Sequence, residues 1–178
     1  SPLMTDGAAF IQLQEEFRAA FENTVIDMPR SMLIAYPHLM NDVNIAVVTT
    51  ELTLASARDS IRVLAWLKQN APQCKVLVVA NNVQPAVVEI SRKDFESTIE
   101  RKIDLLLPAD PKSLAQAAKL GQPVVEAIRG SKLSTGIISL AEIVAGSFAD
   151  MADAAPSDAN ITSKKNVFAS FKSMLKTK

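Results

Sequence analysis

Short apolar, mostly β-branched runs alternate with helix-patterned segments along this chain, and that alternation restricts the fold more than any other feature. Asn44-Ile-Ala-Val-Val-Thr-Thr50, Lys75-Val-Leu-Val-Val-Ala80 and Ile103–Leu107 are nearly continuous apolar runs. A strand buried on both faces requires such a run, and parallel sheets are built from these strands. Val25-Ile26 reads as a fourth, shorter strand that ends at Asp27, with Pro29 blocking further pairing. Residues 6–22 are patterned as an amphipathic helix, with Phe10, Leu13, Phe17 and Phe21 on one stripe and Asp6 or Thr5 at its start. Residues 30–42 are ambiguous, because Pro37 breaks any helix there. The spacing predicts a helix over 53–70, with Leu54, Ala57, Ile61, Leu64, Ala65 and Trp66 on one wide face, closed by Pro72. Ser91-Arg-Lys-Asp94 resembles a capping box that opens a helix to about residue 101. Further helices are expected over 111–120, closed by Gly121, and over 131–146. Strands alternating with helices predict an α/β fold: a mostly parallel sheet flanked by helices and joined by right-handed crossovers.

In such a sheet a ligand binds beyond the carboxyl ends of the strands. The residues expected there are Asp27, Thr49-Thr50-Glu51, Asn81-Asn82 and Pro108-Ala-Asp110. An aspartate at a strand end can hold a metal-bound water beside phosphates, and equally it can cap the turn that follows.

Charge and composition exclude several classes. The 178 residues are 48% hydrophobic and 21% charged, as in a folded domain, and the formal net charge is zero. Zero net charge disfavours a surface that grips nucleic acid throughout. One cysteine excludes an internal disulfide, and with one histidine it excludes a Cys/His zinc cage. Cys74 reads as a small packed residue, and His38 as a solvent-facing loop residue with no catalytic partner. Trp66 and the phenylalanines follow core spacing rather than a base-stacking platform. No apolar stretch is long enough to span a bilayer, Ser1–Met4 does not resemble a signal peptide, and a cytoplasmic setting is expected.

The end of the chain differs in charge. Residues 149–163 read as a flexible acidic linker, with Asp150, Asp153 and Asp158 and no base before Lys164. Residues 164–178 then read as a basic amphipathic helix. Phe168, Phe171 and Leu175 fall on one side of it, and most of Lys164, Lys165, Lys172 and Lys176 on the other. Such a helix fits an anionic membrane surface or an acidic partner.

Four segments, taken in order, carry a resemblance. Val25-Ile-Asp-Met-Pro-Arg30 resembles an Asp-x-Pro-Arg segment, and Val48-Thr-Thr-Glu-Leu-Thr-Leu-Ala-Ser-Ala-Arg-Asp-Ser-Ile-Arg62 a Ser-x-Arg-Asp segment. Val78-Val-Ala-Asn-Asn-Val83 resembles an Asn-Arg-Val segment, and Leu107-Pro-Ala-Asp-Pro111 with Ala117-Ala-Lys-Leu-Gly-Gln-Pro123 a Pro-x-Asp…Gly-x-Pro stretch. Together they are similar to the Flp/Tad pilus-assembly proteins of the CpaE/TadZ type, within the ParA/MinD group of deviant P-loop ATPases. The resemblance covers roughly residues 10–148 and implies a P-loop NTPase-like domain of SIMIBI type over 1–148. It implies that Asp27 supports Mg²⁺, that Asn81 reads the adenine edge, and that Pro108 and Asp110 flank the base. It puts Pro29, Arg30, Thr53, Arg58 and Asp59 in the dimer and switch region. It further implies a nucleotide-gated scaffold that recruits pilus and secretion components at the inner membrane or cell pole, acting as a homodimer.

The departures from that family are specific. None of the five glycines (7, 121, 130, 136 and 146) is directly followed by lysine, so the phosphate loop is absent. The expectation is a domain truncated at its N-terminus, lacking the first strand, the phosphate loop and the first switch. Thr53 stands where relatives often carry an acid, and Asn82 where they carry arginine. ATP and Mg²⁺ are therefore expected in the full-length protein, and neither tight ATP binding nor hydrolysis in this chain alone. A chromosome- or plasmid-partition ATPase and a nucleotide-independent partner-binding module are the alternatives. The absence of Gly-x-Gly-x-x-Gly disfavours a Rossmann oxidoreductase.

Overall fold

The computed structural model of the chain describes residues 6–84 and 89–154, with the backbone alone over 149–154. The order is α1 (Gly7–Ala20), α2 (Arg30–Ala35), a 3-10 turn (Pro37–Met40), β1 (Ile45–Thr50), α3 (Leu54–Asn70), β2 (Lys75–Val83), α4 (Arg92–Thr98), β3 (Leu105–Pro108), α5 (Pro111–Leu120), α6 (Val124–Ala127) and α7 (Lys132–Ala154). The sheet is parallel, in the order β1-β2-β3, with Ile45 opposite Lys75 and Val79 opposite Leu105. The expected α/β class and the three long strands are as read from the sequence.

The chain divides into two compact units, Ser1–Asp110 and Pro111–Lys178. The first holds the sheet. Ala46, Val48, Val76, Val78 and Ala80 alternate onto one sheet face, and α3 packs against it. At one end of that interface Val78, Ala80, Ala57 and Leu64 meet Phe95, Ile99 and Ile103. At the other, Ala46, Val48, Val63 and Leu67 meet Leu33, Met40, Ala71 and Cys74. Phe95, Val78 and Val79 are fully buried. In the second unit α5 ends in a Schellman motif. Gly121 takes φ +62°, its N–H reaches the Ala118 carbonyl, and the Gln122 N–H reaches Ala117.

Local capping explains several helix starts. Asp6 accepts from Ala8 and Ala9 at the head of α1. Ser91 Oγ accepts from the Asp94 N–H at 3.1 Å, the N-cap half of the expected capping box, and donates to the Asp94 carboxylate at 2.6 Å. That helix stops at Thr98, short of residue 101, because Glu100 turns to φ +53°.

Four expectations differ from the structure. Val25 and Ile26 form no strand: the segment from α1 to α2 has no sheet partner among the described residues, and Val25 is 96% exposed. A two-residue run before a proline makes too few ladder bonds to hold a strand. The last helix continues past 146 to Ala154, because Ser147–Ala154 contains neither Gly nor Pro before Pro156. His38 is half-buried rather than solvent-facing, with its ring edge-on to Phe10 at 6.2 Å and to Tyr36 at 6.0 Å. On α3, Leu54 and Ile61 are exposed while Ala57, Ser60 and Leu67 are buried, so the inward face is rotated from the expected one. The tail residues Lys164, Lys165, Phe168, Phe171, Lys172, Leu175 and Lys176 lie outside the described residues, as does the linker beyond Ala154.

Candidate functional site

The carboxyl ends of the three parallel strands come together in the first unit. Thr50 closes β1, Asn81 and Asn82 lie near the end of β2, and Pro108 closes β3. β2 carries one extra residue here: Ala80 pairs with Leu106 and Val83 with Pro108. Asn82 absorbs the bulge at φ +54°, a left-handed conformation that asparagine tolerates better than most residues. The bulge leaves both asparagines exposed at the rim. It explains why β2 runs three residues past the expected end at Ala80.

Side chains link these ends. Asn82 Nδ2 donates to Glu51 Oε1 at 3.5 Å, bridging β2 to the loop after β1. The hydroxyls of Thr50 and Ser60 lie 3.0 Å apart and buried, which ties the last residue of β1 to α3. The Ala109 N–H donates to the Val83 carbonyl at 3.1 Å, so the turn after β3 is held against β2. Asp110 follows, half-buried.

Glu89 was not foreseen. Its Oε1 accepts from the Leu54 N–H at 3.4 Å, while the Ile90 N–H donates to the Leu52 carbonyl at 3.3 Å. A carboxylate thus sits at the positive N-terminal end of α3. Thr53 caps the same end, its Oγ1 accepting from the Ser56 N–H at 3.1 Å. No local pattern marks Glu89, because its partner lies 35 residues away.

Of the residues named from the sequence, Asn81, Pro108 and Asp110 are at the strand ends as expected. Asp27 is not: it lies exposed in the extended segment before α2 rather than at the end of a strand. Arg30 and Asp59, 29 positions apart, are brought into an ion pair, and Arg62 Nη1 is 3.8 Å from the same Asp59 oxygen. Pro29 precedes α2 as its N-cap, and Arg58 is exposed on α3. Among the described residues no group of three or more His, Cys, Asp or Glu is placed to hold a metal ion, and no helix is long and apolar enough to cross a membrane.

The fold is an α/β one, a parallel sheet flanked by helices. More narrowly, it is similar to the fold of ParA and MinD proteins. A ParA family ATPase from Chlorobium tepidum TLS superposes with a TM-score of 0.68 at 18% identity, covering 75% of this chain and 55% of that one. The septum site-determining protein MinD from Pyrococcus horikoshii OT3, solved with Mg-ADP, gives 0.64 at 19% identity, covering 78% and 56%. The chain thus spans about half the length of these solved structures. No family model matches the sequence, and no curated protein matches it.

A nucleotide with Mg²⁺ fits this chain's residues only in part. Asn81 offers an amide donor and acceptor at the rim, and Pro108 and Asp110 stand at the neighbouring strand end, which suits a base edge. Among the described residues, no phosphate cradle is formed. Only Glu51, Leu52 and Thr53 separate β1 from α3, and a carboxylate already occupies that helix end. Gly130-Ser-Lys132 is a helix cap, with Ser131 Oγ accepting from the Ser134 N–H at 3.0 Å. Among the described residues, nothing replaces a lysine and glycine amides on a triphosphate.

Proposed function

We propose that this chain is the sheet-bearing part of a ParA/MinD-like ATPase that serves Flp/Tad pilus assembly as a localisation and scaffold protein. In the full-length protein, ATP and Mg²⁺ gate a homodimer that recruits pilus and secretion components. This chain alone binds partners and does not hydrolyse ATP. The observation that carries the reading is the rim of Asn81, Pro108 and Asp110 on a parallel sheet of ParA/MinD-like fold. Each of the three falls within a segment that resembles the pilus-assembly branch. Zero net charge weighs against the partition alternative, which needs a DNA-binding surface. The cytoplasmic face of the inner membrane or the cell pole is the proposed location, with the lysine- and phenylalanine-bearing tail of residues 164–178 meeting anionic lipid.

Deletion of the coding sequence in the native host tests the pilus assignment. Loss of surface Flp/Tad pili under the electron microscope is expected, and wild-type piliation overturns it. Calorimetric titration of residues 1–178 with Mg-ATP tests the nucleotide assignment. Absence of submicromolar affinity is expected, and its presence overturns that part.

A further inference from the structure

A cleft of about 280 Å³ lies between α2 and α3, lined by Arg30, Leu33 and Ile34 from one helix and by Arg62, Val63 and Trp66 from the other. Each trio falls on a single helix face, at spacings of one, three and four residues. The floor is apolar: Leu33 is buried, and Val63 and Trp66 are half-buried. One wall is Ile34, which leaves 56% of its surface in water. The rim is cationic. Arg30 and Arg62 converge on the one carboxylate of Asp59, with 48% and 76% of their side chains exposed. Two guanidiniums against one carboxylate leave one positive charge over, beside an open apolar surface.

We propose that this cleft docks an acidic amphipathic helix of a partner protein. Its volume falls just below the range of small-molecule pockets and suits one or two anchoring side chains. Helix-in-groove recognition uses such anchors at i, i+3 and i+4, as a groove between two helices presents them. The surplus charge selects the occupant: carboxylates flanking the anchors reach the Arg62 fork, while Asp59 keeps Arg30 oriented beside it. A purely apolar helix leaves the surplus guanidinium charge without a partner, and a basic one is repelled. The proposal rests on the scaffold reading only in supposing that a partner exists. Its test uses neither nucleotide nor pili, so the two readings fail separately.

Trp66 is the chain's single tryptophan, so its emission reports directly on the cleft. The probe is a synthetic helix of about fourteen residues, with leucine and phenylalanine at i, i+3, i+4 and i+7 and glutamate flanking them. A control peptide carries glutamine at every glutamate. Saturable blue-shifted Trp66 emission is expected with the acidic peptide, at least about tenfold weaker for the glutamine control. Arg62→Glu and Ile34→Asp are each expected to weaken binding by about tenfold or more, with unchanged thermal melting. Equal binding of the two peptides overturns the proposal, as does full binding by folded Arg62→Glu or no emission change. A homodimer that forms without peptide and dissolves in Arg62→Glu, seen by analytical ultracentrifugation, assigns the cleft to a second copy and also overturns it.

Discussion

At the scale of single residues, Glu96 shows how much one carboxylate can hold together. Its Oε1 accepts from the Ile103 N–H at 3.0 Å and from Arg92 Nε at 2.8 Å, and its Oε2 accepts from Lys102 Nζ at 3.0 Å. Arg92 also donates to the Ile103 carbonyl, so this group fastens α4 to the residues leading into β3. The Ile103 N–H above all, then Arg92 and Lys102, hold the carboxyl down to about 2 from the ordinary 4.5. A depressed folded-state value means that the unfolded chain takes up the proton first. The stabilisation from Glu96 is therefore complete above about pH 4.5 and disappears as pH falls toward 2. Urea midpoints measured across that range are expected to fall less steeply in Glu96→Gln than in the parent, while the variant is less stable at pH 7. Parallel curves would remove Glu96 from this role. The Ser91–Asp94 cap was legible because its partners are three residues apart. The role of Glu96 was not, because its backbone partner appears only once the chain has turned at Glu100. Glu89, Ser60 and the Arg30–Asp59 pair share that property: each depends on the fold bringing together positions ten or more residues apart.

At the scale of elements, apolar period and punctuation carried most of the information. The three long strands, α1, α3 and the Gly121 stop follow from spacing, caps and left-handed glycine. The Val25-Ile26 strand failed because β propensity without a neighbouring strand supplies no ladder bonds. The bulge at Asn82 has no signature in the sequence, because register is a property of two paired strands. Thr53 has a structural role that the resemblance does not mention. By resemblance it belongs to a dimer and switch region, and in the structure it is the N-cap of α3. Thr53→Ala is expected to cost about 1 kcal/mol in equilibrium denaturation, with Thr53→Ser close to the parent. An alanine variant as stable as the parent would show that Glu89 alone suffices at that helix end.

At the scale of the whole molecule, strands alternating with helices dictated a parallel sheet, and the sheet dictated where the rim of strand ends lies. The division after Asp110 was not legible, because no composition shift marks it. Among the described residues β1 pairs on one side only, with β2, and Val47 on it is 37% exposed. An open apolar edge invites further pairing, and lysine is a common means of blunting it. Light scattering behind size exclusion is expected to show self-association that rises with concentration, that Val47→Lys suppresses and that Arg62→Glu leaves in place. A monomer at every concentration would show that the edge is protected. The same strand order also sets a folding clock. Ile45 meets Lys75 and Val79 meets Leu105, so each sheet contact closes a loop of about thirty residues, and the sheet contains no hairpin that could zip from a turn. The sheet must wait for whole crossover helices to form and swing back. Its assembly thus belongs to the slower regime of mixed α/β domains rather than that of helical bundles, and the edge of β1 stays uncovered throughout that interval.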